Sequence, residues 1–345
     1  MRHVNIPIFI PHLGCPNNCV FCNQRSISGH GDFDIGSVRQ EIETVLSTVG
    51  EDDVCEIAFF GGSFTGIDRD LMISLLDIAQ EYTVGNGVNN VGRVESIRLS
   101  TRPDYINDEI LTILSRYSVR TIELGLQSMD DGVLAASKRG HDAETAKKAC
   151  RLIKKYGFDL IGQMMIGLPS STKEKEEATA RLICELGADG ARVYPTVVFY
   201  ETELCDMARE GEYVPLEIDE AVTRSAAVLD VFDRAGIPCI RVGLCASENL
   251  TDPEKVYGGA HHVAIGEMAM GELYYRRICE ALDAIGDCEF AKKELTVYVA
   301  KGNVSKAVGQ NKKNKKKLCE KYNLYRIKVL EKNDISGSNI SINIK

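Results

Sequence analysis

No apolar run in this 345-residue sequence approaches the roughly 20 residues that a membrane-spanning helix needs, so no helical membrane protein is expected. No signal peptide is expected from the opening residues, and the twelve cysteines read as thiols of a reducing cytoplasm rather than a disulfide framework. A second C-x2-C pair, which would complete a structural zinc site, is missing. Cys55, Cys150, Cys184, Cys205, Cys239, Cys245, Cys279, Cys288 and Cys319 have no cluster spacing and read as core or bystanders. The charge is not spread evenly either. Residues 291–345 hold 14 Lys+Arg against 4 Asp+Glu, so this tail is +10 within a chain of net −9, and the two ends should face different partners.

What the sequence does have is three cysteines at C-x3-C-x2-C spacing. Cys15, Cys19 and Cys22 follow the apolar run of residues 4–10 on a loop with Gly14, Pro16, Asn17 and Asn18, a poor setting for ordinary buried cysteine. An iron-sulfur cube takes four ligands, so three thiolates leave one iron with an open position for a small molecule.

The rest of the chain alternates β-rich runs with segments of helical period, as a parallel βα array should. Strands are expected at residues 4–10, 54–60, 96–100, 120–126, 158–167 and 190–198, and helices at 35–49, 68–82, 108–117, 143–155 and 173–186. This is a (β/α)6 partial barrel, with functional residues at the C-terminal strand ends. A further helix is expected at 221–235 and an edge strand at 237–243. Residues 257–267, with His261 and His262, read as a loop over the barrel mouth rather than a metal site, because adjacent residues point different ways. The tail reads strand, helix, strand at 295–300, 304–322 and 325–331. The expected division is a barrel at 1–245, a barrel-covering extension at 246–287 and a small basic β-α-β module at 288–345.

C-x3-C-x-aromatic-C, with Phe21 as the aromatic, resembles the signature of the radical S-adenosylmethionine (radical SAM) superfamily. That resemblance implies a [4Fe-4S] cluster on Cys15, Cys19 and Cys22, with SAM at the open iron. Gly61-Gly62 resembles the superfamily's Gly-Gly element for the SAM amino group, and with Ser63 it ends the second strand. Thr101-Arg102-Pro103-Asp104-Tyr105 resembles the Elongator catalytic subunit, a radical SAM enzyme of wobble-uridine modification in tRNA. Residues 122–128, 138–141, 163–169 and 193–196 match it in order. The implied cofactor pocket holds Gly61, Gly62, Ser63, Thr101, Arg102, Gln127, Arg139 and Gln163. Gln127 is expected at the SAM ribose or carboxylate, and Arg139 at the carboxylate or an RNA phosphate. Gln163 and Met165 should share one strand face. His141 is expected near a helix N-terminus, and no catalytic acid, base or nucleophile is assigned.

Two departures matter. The Elongator subunit has an expanded gap between its first two cluster cysteines, and it continues into an acetyltransferase domain, whereas only about 70 residues follow Tyr275 here. Within the tail, Gly309-Gln310-Asn311-Lys312 resembles the GxxG turn of a KH RNA-binding module, with Lys312 in place of the second glycine. The expected function is a radical SAM enzyme acting on RNA, a tRNA base in particular, with ferredoxin or flavodoxin as electron donor. The alternatives are a small-molecule oxidase of the anaerobic coproporphyrinogen type and a non-catalytic iron-sulfur RNA-binding protein.

Overall fold

The computed structural model describes residues 2–10, 13–15, 19–23, 33–50, 52–85, 92–244, 252, 254–285, 290 and 292–345. Pro11, His12, Pro16 to Asn18, Cys245 and Cys288, and with them the expected boundaries at 245 and 288, lie outside these residues. No described helix is long and apolar enough to cross a membrane.

Strands β1 (His3–Ile10), β2 (Val54–Gly61), β3 (Val94–Thr101), β4 (Val119–Gln127), β5 (Asp159–Ile166) and β6 (Gly190–Pro195) lie side by side in chain order, all parallel. This is the expected partial barrel, and β8 (Cys239–Val242) adds the expected edge strand beside β6. Pro7, which has no N–H to donate, sits in β1, which is an edge strand. Ile6, Ile8 and Ile10 alternate onto the buried side of β1, where the strands meet the helices, each burial stabilising the fold by about 1.5–3 kcal/mol.

The outer layer contains α1 (Val38–Leu46), α2 (Arg69–Gln80), α3 (Asp108–Leu114), α4 (Asp131–Ala136), α5 (Ala143–Lys155) and α6 (Lys173–Glu185). Local chemistry starts most of them. The side chains of Asp68, Asn107, Asp130, Asp142 and Thr172 each accept a first-turn N–H. His141 therefore precedes the cap of α5, and Asp142 is the cap itself.

The sixth run, expected to be continuous over 190–198, divides at Thr196. The Thr196 N–H and hydroxyl both donate to the Ile166 carbonyl, at 2.9 and 2.7 Å. Beyond this anchor β7 (Val197–Phe199) leaves the main sheet and pairs antiparallel with β9 (Val256–Gly259), forming a small ribbon at the mouth of the barrel. Helix α7 (Glu203–Arg209) follows β7, and α8 (Ile218–Arg234) leads to β8.

The 19-residue helix α9 (Ile265–Asp283) joins the barrel to the tail. Its Ala269 and Leu273 pack against Ala226 and Leu229 of α8, and buried Arg277 pairs with Asp230 at 2.7 Å and Asp233 at 2.9 Å. On another face Tyr274, Ile278 and Leu282 form one core with Leu295, Val297 and Val299. The tail contains β10 (Glu294–Val299), α10 (Val304–Val308), α11 (Lys313–Tyr322) and β11 (Arg326–Glu331), and also β12 (Ile340–Ile344), which the sequence reading did not include. The sheet order is β11-β10-β12, with β10 and β11 parallel. The single helical segment expected at 304–322 is two helices, separated at residues 309–312, where Gly309, Asn311 and Lys312 have φ of 75°, 51° and 61°.

Candidate active site

The C-terminal strand ends surround a cavity of about 420 Å³, within the usual ligand-pocket range of about 300–1,000 Å³. Cys15, Cys19 and Cys22 lie on its wall together with every residue expected in the cofactor pocket. Gln163 and Met165 both face it, as alternation on β5 requires.

The cysteine loop is fixed to the barrel on both sides. Val20, between the cavity-facing Cys19 and Phe21, turns into a small core with Val198, Leu204 and Tyr213. Its N–H donates to the Ser137 carbonyl at 3.2 Å, and its own carbonyl accepts from Leu204 N–H at 2.8 Å. At the other end, Gly62 N–H donates to the Ile10 carbonyl (2.7 Å) and Ser63 N–H to the Leu13 carbonyl (3.0 Å). A Cβ on Gly62 would lie 2.0 Å from the Leu13 oxygen. Close packing of the cysteine loop on the second strand's end therefore requires this glycine.

Arg102 lies on the cavity wall and is paired within the protein. Its fork does not open to a ligand: Nε and Nη2 bind both oxygens of Asp104 (3.0 and 2.9 Å), and Nη2 also donates to the Arg139 carbonyl at 2.6 Å. The ion pair is nearly buried on the arginine side rather than a solvated surface pair. Burial works against the charged guanidinium, but the bonds to Asp104 hold its pKa above the ordinary arginine value. Arg139 donates through Nη2 to the Gly125 carbonyl (2.6 Å) and through Nη1 to Cys19 Sγ (3.4 Å). Arg139 thus faces Cys19 within the cavity. A Cβ on Gly125 would lie 2.8 Å from Arg139 Nη2, so glycine here leaves the guanidinium its place.

The other expected residues have varied roles. Cys15 Sγ lies 3.6 Å from Ser63 Oγ. The Thr101 hydroxyl is taken up by Thr65 Oγ1 at 2.7 Å. Gln127 stands in the left-handed region at φ 66°, beside a register shift in β4, and its buried Oε1 has no partner among the described residues. Strain and an unmet acceptor together mark a site poised for a ligand. His262 Nδ1 accepts from Ala264 N–H at 3.0 Å, and neither His261 nor His262 lines the cavity.

The sequence reading missed the charged floor. Glu123 is buried at 2% exposure and holds Arg98 at 2.8 Å and Arg192 at 2.8 Å, while Arg98 also binds Glu56 at 2.7 Å. Arg192 lies over the Phe60 ring, 5.6 Å from its centroid, and near Tyr194 Oη at 3.4 Å. The available signal was the period of two: Glu123, Gly125 and Gln127 share one face of β4, as Arg192 and Tyr194 share one face of β6.

The chain is 31% identical over 198 residues to the tRNA uridine(34) acetyltransferase of Methanocaldococcus infernus, covering 53% of this chain and 37% of that one. Against mouse Elongator complex protein 3 it is 26% identical over 262 residues, covering 65% and 48%. It therefore spans less than half the length of either relative. The solved archaeal Elp3 of Methanocaldococcus infernus shares the fold, with a TM-score of 0.61 at 19% identity over 79% of this chain and 67% of that one. The Radical SAM superfamily profile matches residues 9–183, and the Radical_SAM C-terminal domain profile matches residues 188–274. With half of its length matched, the chain belongs to the radical SAM superfamily, whose members use a [4Fe-4S] cluster and S-adenosylmethionine.

Proposed function

We propose that this radical SAM protein modifies an RNA base, a tRNA base in particular, with its cluster on Cys15, Cys19 and Cys22. The observation that carries the RNA reading is the basic turn of the tail. Gly309 to Lys312 separates two helices between parallel strands, the arrangement in which a GxxG loop clamps nucleotide backbone. Lys312 and Lys316 are exposed and Lys315 half-buried, and among the described residues no carboxylate lies within ion-pairing distance of the three. The names of the relatives, a tRNA uridine(34) acetyltransferase and an Elongator protein, point the same way.

The residues suit the cofactors. Three cysteines share one cavity wall, and the unpartnered Gln127 Oε1 offers an acceptor to a bound amine or hydroxyl. Among the described residues no three His, Cys, Asp or Glu side chains converge on one ion position, and a cube takes each thiolate on a different iron. When bound, the cluster and SAM supply a 5′-deoxyadenosyl radical that abstracts hydrogen from the substrate. Gly61, Gly62 and Ser63 hold the cysteine loop to the second strand. Gln127 and Gln163 provide polar edges for SAM. Glu123 and Arg192 give a fixed, paired floor, while Phe9, Phe60 and Phe199 exclude water from the reacting centre.

The test is tRNA binding against salt concentration. Three lysine-phosphate contacts carry about a 20- to 40-fold loss of affinity between 50 and 200 mM salt. Changing Lys312, Lys315 and Lys316 to Glu should remove that share of the salt dependence and leave SAM cleavage without RNA intact. Charge reversal is the appropriate perturbation, because deleting the tail would uncover the face of α9 that carries Tyr274, Ile278 and Leu282. Unchanged tRNA affinity and salt slope in the triple variant would refute the RNA reading.

A further inference from the structure

Among the cavity cysteines, Cys19 has an unusual neighbourhood. Arg139 Nη1 donates to its sulfur at 3.4 Å, and Arg102 Nη1 lies 4.0 Å away, whereas Cys15 meets the neutral Ser63 hydroxyl. Both arginines are buried, at 7% and 2% exposure, and both are held by other bonds. The two cations are not equivalent. Asp104 largely offsets the charge of Arg102, but among the described residues no carboxylate lies within ion-pairing distance of Arg139. Among the described residues its Nε has no hydrogen-bond partner. An unpaired buried guanidinium is costly, so the fold carries it only if something negative comes to lie beside it. The nearest candidate is the Cys19 thiolate and what that thiolate binds.

We propose that Arg139, steadied by Arg102, is a positioning residue that raises the reduction potential of the cluster through Cys19. This rests on the ligand set proposed above. Reduction adds negative charge to the cluster, and a fixed cation with an N–H···S bond stabilises the more negative state. The electron arrives singly from an external low-potential protein donor of the ferredoxin or flavodoxin class. Neither arginine gains or loses a bond or a proton. Arg102 matters because its Nη2 bond to the Arg139 carbonyl fixes the backbone from which Arg139 reaches Cys19.

The experiment is an EPR-monitored redox titration of the reconstituted full chain, without SAM or RNA. Arg139→Gln removes the charge and keeps a donor for the Gly125 carbonyl. It should lower the equilibrium constant for reduction about tenfold or more, a fall of about 59 mV or more in the midpoint. Arg139→Lys keeps the charge but, as a single ammonium, loses the forked geometry that serves Gly125 and Cys19 together, so it should shift less. An unchanged midpoint in Arg139→Gln at full iron content would overturn the proposal. If that variant does not retain iron, Arg139→Met, of similar length and uncharged, is titrated in its place, and a wild-type midpoint there also overturns the proposal. Iron at cluster stoichiometry in a Cys15, Cys19 and Cys22 triple alanine variant would instead refute the ligand set itself.

Discussion

Gly62→Ala adds one carbon where the cysteine loop meets the second strand. The new Cβ would lie 2.0 Å from the Leu13 oxygen and 3.1 Å from the Ile10 oxygen, so backbone must move by at least about 1 Å to restore ordinary contact. The two bonds that close this junction, Ser63 N–H to Leu13 and Gly62 N–H to Ile10, are the ones such a shift stretches. Each is worth about 0.5–1.5 kcal/mol net, and more where a separated group finds no water, so a local cost of about 2 kcal/mol is a conservative figure. At tenfold per 1.4 kcal/mol, the population with the loop detached should rise roughly 30-fold. The assay is the rate at which a chelator strips iron from the reconstituted protein, with Gly258→Ala as control because nothing lies within 4 Å of a Cβ there. A wild-type chelation rate in Gly62→Ala would refute the reasoning. The site chemistry also changes meaning: the variant should lose cluster as well as SAM cleavage, since the glycine serves the loop before it serves any ligand.

Glu123→Gln leaves Arg192 without its buried carboxylate, while Glu56 still holds Arg98. Losing one partner of a buried pair costs about 3–5 kcal/mol, so urea denaturation should show a loss near the lower end, about 3 kcal/mol, and a loss under about 1 kcal/mol would contradict the pairing. Burial first, and then the nearby Arg139 charge, lower the His141 pKa from 6.5 to about 4. An unfolded chain takes up this proton near pH 6.5 and the folded chain does not. The contribution is therefore fully present above pH 6.5 and is lost as pH falls from 6.5 toward 4, by about 3 kcal/mol in all. His141→Asn should flatten this part of the pH-stability curve, and an unaltered slope would assign it to other groups.

The barrel was legible because its strands end in glycines, serines or prolines and most of its outer helices begin at a capping residue such as Asp68 or Asp142, all local signals. The cysteine spacing and the strand-end positions located the cavity for the same reason. What escaped depends on tertiary neighbours. Helix α9 has apolar residues on several faces, because it packs against α8 and the tail strands at once, and this obscures the single stripe of a surface helix. Arg102 and Arg139 were visible as site arginines, and a pair between Arg102 and Asp104 could be read from their spacing, but its burial and the contact of Arg139 with Cys19 could not. Glu123 was passed over as part of a matching string, though a carboxylate within an apolar strand is itself a sign of a buried partner.

The shared helix α9 also bears on how the chain is made. Its residues leave the ribosome well before β10, β11 and β12, and at about 5–20 residues per second the roughly 60 residues that follow take about 3–12 s to appear. Through that interval the barrel can dock one side of the helix, through Ala269, Leu273 and Arg277, while Tyr274, Ile278 and Leu282 await strands not yet synthesised. A chain interrupted before β10 would therefore carry one adhesive flank, the face of α9 that Leu295, Val297 and Val299 otherwise cover.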